Sequence, residues 1–305
     1  MAGVAAGVAA AAAGDRVVLR EHSSGLGGAA VAAHHRTLCG FFANDTREPQ
    51  LLEPGMVEAW LPFMASGKPL RRGRVWLLPT DPQTLSQGLL RRIHDHGVET
   101  QFNCGDDCDS GFDRVIDARG VVMRGRAATQ WGAWRCAVWL GEIPAKSILR
   151  RIAEIHPGQV ALEALAGGRW QLTIDASEAA QGLAAVERIN ARLGAQAVEH
   201  IGFIERDLGG CQGLTLAELF STAHRGLCWA SWPCEFHHAR GVDWVWPPGS
   251  RYGVPEQVTM SPTLPRGWRV CGRGLAAQPQ AAAALRVTGS AVMIGNALGT
   301  NPWTC

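Results

Sequence analysis

Gly3, Gly14 and Glu21, followed at once by Gly25, Gly27 and Gly28, have the types and spacing to hold a nucleotide. Glycines let backbone N–H groups approach a pyrophosphate at a helix N-terminus. An acid about 20 residues beyond the glycine turn then accepts hydrogen bonds from ribose hydroxyls. The competing reading of this fragment is an alanine-rich packing helix beside an exposed glutamate. A second group is aromatic and titratable: Trp229, Trp232, Trp244, Trp246, His237, His238, Arg251 and Tyr252. Flat apolar walls with a few polar groups suit a ligand pocket; the competing reading is an irregular loop whose Trp residues are core. His34 and His35 are second-rank candidates for ligand contact, since adjacent residues of a strand face opposite ways. Cys104 and Cys108, with Asp106, Asp107 and Asp109 between and beside them, mix soft thiolates with hard carboxylates and select no metal, so a polar turn is expected and no metal site.

The elements around these residues alternate. Residues 2–13 are helix-forming, Gly14 stops them, and Arg16 to Glu21 read as a short buried strand. Helix, turn, strand ending in an acid, and Gly-rich loop make the second half of a Rossmann βαβ unit. Residues 74–79 are a strand candidate. Asp81-Pro82 opens a helix through Leu85, Leu89 and Leu90 to about His94, and Gly97 ends it. Strands follow at Val98 to Cys104 and Asp113 to Asp117, which predicts a mostly parallel sheet with helices on its faces. Val160 to Leu165 and Arg169 to Asp175 read as a hairpin, and Ser177 to Leu193 as an amphipathic helix, the mark of an α+β insertion. Trp229 to Pro255 reads as irregular. Trp268 to Cys271 is a late strand, and Ser290 to Leu298 a last helix.

The chain has 305 residues and a formal net charge of +2, which gives no basic footprint for a nucleic-acid partner. No run reaches the ~18 apolar residues of a transmembrane segment. Nine cysteines without a basic leader predict a reduced, cytoplasmic protein.

The stretch GVAAGVAAAAAGDRVVLREHSSGLGGAA resembles the opening of FAD-dependent oxidoreductases of the two-dinucleotide-binding-domain type, in the branch with an acid followed by LGG. WLLPTDPQTL, DRVIDARG, WVWPPGSRYGVP and the tail WRVCGRGLAA…ALRVTGSAVMIGNALGT agree with it, and the likeness is weakest from about Arg124 to Asp207. The resemblance implies an α/β fold, FAD as cofactor, and roles residue by residue. Gly3 matches the third glycine of the fingerprint and Glu21 the ribose ligand. Gly25, Gly27 and Gly28 match the loop over the flavin side. Gly272 and Arg273 match the strand end beside the ribityl chain and pyrophosphate. Gly289, Ser290 and Gly295 fall around the last helix, whose positive end would face the flavin pyrimidine ring. His22 is one residue short of the spacing of a covalent histidine link, so a noncovalent cofactor is expected.

Against that family pattern, Met1 falls two residues before the third glycine, and the first strand and first two glycines of the fingerprint are missing. A start upstream of Met1, or a fragment, is the favoured explanation. The expected organisation is a Rossmann-like FAD part at 1–123, an inserted substrate or cap domain at 124–255, and a second FAD part at 256–305. The expected activity is hydride transfer between a small organic substrate and flavin N5, with an unidentified electron acceptor and with His237, His238 or Tyr252 handling the substrate proton. The alternative is a cofactor-free remnant acting as a binding or structural subunit. An NAD enzyme is disfavoured because NAD domains lack the C-terminal return to the cofactor.

Overall fold

A computed structural model describes residues 1–32, 35–105, 111–119, 213–238, 241–260 and 264–301, and between 120 and 212 four strands and a few single helical positions. The alanine run folds as α1 (Ala2–Ala12), and Gly14, at a φ of 98° that L side chains rarely adopt, turns the chain out of it. β1 (Val18–Glu21), α2 (Ala29–Ala32), β2 (Thr37–Leu38), α3 (Pro54–Met64), β3 (Leu70–Arg72) and β4 (Val75–Pro79) follow. α4 (Pro82–Asp95) starts where the sequence predicts. The Asp81 carboxylate accepts from the backbone N–H groups of Gln83 and Thr84 at 3.1 and 3.0 Å, and Pro82 fills the first helical position. Leu85, Leu89 and Ile93, each four residues from the next, form its buried stripe.

β5 (Glu99–Phe102) runs parallel to β1, with Val18 opposite Glu99 and Glu21 opposite Phe102. β6 (Val115–Asp117) leads to an antiparallel four-stranded sheet. It contains β7 (Trp134–Leu140), β8 (Val160–Ala164), β9 (Trp170–Ala176) and β10 (Val198–Glu205), in the order β10-β7-β9-β8. The expected hairpin is the β8–β9 pair, Val160 opposite Ile174 and Ala164 opposite Trp170. Most of the helix expected at 177–193 lies outside the described residues. The remaining elements are α5 (Leu216–Ser221), β11 (Cys228–Ala230), β12 (Cys234–His238), β13 (Gly241–Val245), β14 (Tyr252–Val254), β15 (Trp268–Val270), α6 (Pro279–Leu285) and α7 (Thr288–Thr300).

The fold is α/β, with two corrections. The parallel part is smaller than expected: among the described strands, β1 pairs parallel with β5 and β6 with β15, and these pairs are not hydrogen-bonded to each other. β4 instead lies antiparallel between β2 and β3. Only Gly73 and Arg74 separate β3 from β4, and so short a connection can join only antiparallel strands. The segment read as irregular also contains strands, since β11 pairs with β14 and β12 with β13. Their neighbours are tied to distant chain: the Ser231 hydroxyl donates to the Phe42 carbonyl at 2.6 Å, and the Asn44 amide donates to the Ser231 carbonyl. Hydrogen bonds spanning that much chain leave no local periodicity to read.

One core gathers Ala5 and Val8 of α1, Phe41, Leu85 and Leu89, Val292 and Ile294 of α7, and also Leu219, Cys228, Tyr252 and Val254. Leu219, Cys228, Tyr252 and Val254 thus share a core with residues of the first hundred. Among the described residues no single helix is long and apolar enough to cross a membrane.

Candidate functional site

The two ends of the described chain meet through small residues. A Cβ at Gly295 would strike the Ala2 carbonyl, and one at Gly299 the Ala6 carbonyl. Glycine four residues apart on α7 thus lets its backbone lie directly on that of α1. At Gly3 a Cβ would stand 3.0 Å from the Ala118 Cβ and 3.6 Å from Leu19 Cδ1, so α1 rests on both β1 and the end of β6. After β15 the chain turns at Gly272, φ 64°, where a Cβ would stand 3.7 Å from the Ala118 carbonyl oxygen and 3.8 Å from Ala2 Cβ. Gly3, Gly272 and Gly295 therefore surround the first turn of α1.

Glu21 closes this group from the end of β1. Its carboxylate accepts from the Ser23 backbone N–H and hydroxyl, both at 2.9 Å. The Met1 amino group is buried beside Cys271 and Glu21; burial lowers its pKa, partly offset by those two neighbours. Burial likewise pushes the Cys271 thiol up to about 12, so it stays protonated at neutral pH. No side chain caps the start of α1 or of α7, and neither carries an acid in its first turn. Both therefore present positive dipole ends, although at α7 the Gly289 N–H already donates to the Cys39 carbonyl.

Gly25, Gly27 and Gly28 face a different wall. A Cβ on Gly25 would stand 3.9 Å from the Ser86 hydroxyl of α4, one on Gly27 would run into Val31, and one on Gly28 would meet open space. Gly289 and Ser290 sit at the start of α7 against the 39–41 segment, where the Gly289 N–H donates to the Cys39 carbonyl at 2.8 Å. The Ser290 hydroxyl is fully buried without a hydrogen-bond partner. Burial lowers the Arg286 pKa, offset in part by Glu235 and reinforced by the nearby Arg273 charge.

The aromatic group is divided. His237 and His238 lie on β12, opposite Val242 and Gly241. Tyr252 is in the core, donating its hydroxyl to the Trp232 carbonyl at 2.8 Å and reaching the Ala284 carbonyl at 3.4 Å; burial raises its pKa well above the ordinary value. That phenol is a tether between β14 and α6 rather than an open proton carrier. Trp232 meets Trp244 edge-on at 6.5 Å, Trp244 stacks on Trp246 at 6.0 Å, and the Arg251 guanidinium lies 4.3 Å over Trp229. His22 Nδ1 is 3.0 Å from the Cys104 carbonyl. His34 and Cys108 lie outside the described residues.

Sequence reasoning missed Arg286 and Glu235. The Arg286 Nη2 donates to the Glu235 carbonyl at 3.3 Å and stands 3.8 Å from its carboxylate, with His35 near both. A signal was present, because Arg286 is the single charged residue between Leu275 and Thr300.

The later turns of α7 thus lie on the first turns of α1 through Gly295 and Gly299, with the acid Glu21 beside the start of α1. Residues 1–122 match the family model described as FAD dependent oxidoreductase. Over that stretch the chain is similar to the FAD-dependent oxidoreductases. Among solved structures, a flavoprotein/dehydrogenase from Cytophaga hutchinsonii is 12% identical, over 67% of this chain and 64% of its own, with a TM-score of 0.35. A geranylgeranyl bacteriochlorophyll reductase-like protein from Thermoplasma acidophilum is 10% identical over 98% and 73%, with a TM-score of 0.42. A 2-methyl-3-hydroxypyridine-5-carboxylic acid oxygenase is 14% identical over 67% of each chain, with a TM-score of 0.36. The chain thus spans less than two thirds of the first of these. No curated protein matches it.

Proposed function

We propose that the chain is an FAD-dependent oxidoreductase that binds its cofactor noncovalently and moves a hydride between a small organic substrate and flavin N5, the electrons passing to a separate acceptor. The observation that carries this reading is the backbone contact of α1 and α7 through Gly295 and Gly299, which puts the N-terminal glycine segment and the C-terminal return in one place. The residues fit the group. Two helix starts without side-chain caps and the orphaned Ser290 hydroxyl can donate, and Glu21, beside the Met1 amino group at the start of α1, can accept.

Glu21 would hold the ribose hydroxyls in place of its present Ser23 donors. The first turn of α1 and the Gly272–Arg273 turn would meet the pyrophosphate, and Thr288 to Ser290 the electron-rich edge of the flavin. When bound, FAD supplies two-electron chemistry at N5. Trp229 and Trp232 exclude water from the substrate side. His237 or His238 takes the substrate proton, and Tyr252 ties β14 to the Trp232 and Ala284 carbonyls.

The test is the visible spectrum of the purified chain after desalting. A retained flavin spectrum that is lost in Glu21→Ala supports the reading. A folded, colourless protein that takes up no added FAD overturns it.

A further inference from the structure

Trp244 and Val245, neighbours on β13, are each 46% exposed. Trp244 stacks on Trp246 at 6.0 Å, and the Arg74 guanidinium lies 4.1 Å over the Trp246 ring. Asp45 fixes that guanidinium, accepting from its Nε at 2.9 Å and its Nη2 at 2.6 Å. The bond to Arg74, aided by the charge of Arg71, lowers the Asp45 pKa, so Arg71 stands on the same face. Arg74 closes the run Lys68 to Arg74, whose four cations are all exposed and which contains no acid. Asp45 cancels one of these charges, and the turn between β3 and β4 stays positive beside two indoles.

The same indoles lead inward. Trp244 meets Trp232 edge-on at 6.5 Å, and Trp232 is only 5% exposed. Its Nε1 donates to the Glu235 carboxylate at 3.4 Å, and the Glu235 carbonyl accepts from Arg286, two residues before α7. Packed side chains thus run from the exposed face to the helix start that would meet the flavin.

We infer that this face docks an acidic protein that carries one electron at a time, and that this carrier is the acceptor of the proposed oxidoreductase; the assignment rests on that reading. Charge selects the partner's sign, because arginines at the rim of an indole pair attract an acidic surface and set its approach. Continuity with the cofactor helix selects its chemistry, since an electron needs proximity to the site and not entry into it. A small, flat face suits the short-lived contacts of electron transfer. Each turnover brings one hydride: two carriers are reduced by one electron apiece, the cofactor returns to its oxidised form, and the proton goes to water.

The experiment is calorimetric titration of the full chain with cytochrome b5, an acidic haem carrier, with cytochrome c, a basic one, and with a single-stranded oligonucleotide. Cytochrome b5 is expected to bind saturably at low salt, about tenfold or more tighter than the other two, and to weaken about tenfold at about 0.5 M salt. Arg71→Glu and Trp244→Ala, both at exposed positions, should each weaken it about tenfold. With FAD bound and photoreduced, the cytochrome b5 haem should be reduced about tenfold more slowly by Arg71→Glu than by wild type. Absence of cytochrome b5 binding, equal or tighter binding of cytochrome c or the oligonucleotide, wild-type affinity in either variant, or equal haem reduction overturns the inference. The three-ligand comparison needs no variant and stands even if one does not fold. Heat of docking is read independently of flavin colour. A colourless protein that binds cytochrome b5 sinks the cofactor reading and leaves the docking face, and a yellow one that ignores it sinks the docking face alone.

Discussion

The α1–α7 crossing and the Trp-rich segment from β11 to β14 hold their chain in opposite ways. At the crossing, side chains are reduced to glycine and alanine so that backbone lies on backbone, and specificity resides in the absence of atoms. Between Cys228 and Val254, side chains satisfy backbone groups elsewhere in the chain, Tyr252 those of Trp232 and Ala284 and Ser231 that of Phe42, while the Glu53 carboxylate accepts from the Trp229 N–H. The first region should tolerate no added volume, and the second no lost hydrogen bond.

The largest effect is expected at the crossing. Gly295→Val drives a branched side chain into the Ala2 carbonyl and should cost about 3 kcal/mol or more, seen as loss of the folded baseline in thermal melts. A wild-type melting temperature would mean that the helices are not in backbone contact. In the second region, Tyr252→Phe keeps the ring but leaves the buried Trp232 carbonyl without its donor. Denaturant titration should register about 1–3 kcal/mol. If Tyr252→Phe proves the more damaging of the two, the contrast is inverted.

A third difference concerns pH. Burial, aided by Arg286, lowers His35 from 6.5 to about 4. Unfolded chain takes the proton as pH falls through about 6.5 and folded chain does not until about 4, so this contribution is complete above 6.5 and is lost progressively down to 4. His35→Gln should flatten that part of the stability–pH curve. The smallest expected change is at the α4 cap, where Asp81→Ala should cost about 1 kcal/mol and Asp81→Asn, which keeps the capping oxygen and loses the charge beside Arg36, less. Hydrogen bonds, first from the Thr84 N–H, lower the Asp81 pKa, so the cap's charge contribution is present above the ordinary carboxylate range and is lost as pH falls below it.

The same contrast explains what could be read from the residues alone. α1, β1, α4 with its Asp81 cap, β5, β15 and α7 were legible because their signals are local: an alanine run, a cap followed by proline, glycine after the last turn. The Gly3 and Glu21 pattern was legible for the same reason. β11 to β14 were not, because each is three to five residues long and is fixed by partners far off in the chain. Arg286 and Glu235 were missed because Cys234 to His238 and the segment before α7 are brought together by the fold alone, although the solitary charge at 286 was in plain view.

The central claim is that one crevice, bounded by Glu21 and the starts of α1 and α7, takes an adenine dinucleotide. The direct measurement is a fluorescence titration of the full chain with FAD and, separately, with FMN, in wild type and Glu21→Ala. FAD should bind at least about tenfold more tightly than FMN, and the substitution should erase most of that preference while leaving FMN affinity unchanged. Equal affinities in the wild type, or a preference untouched by Glu21→Ala, would contradict it.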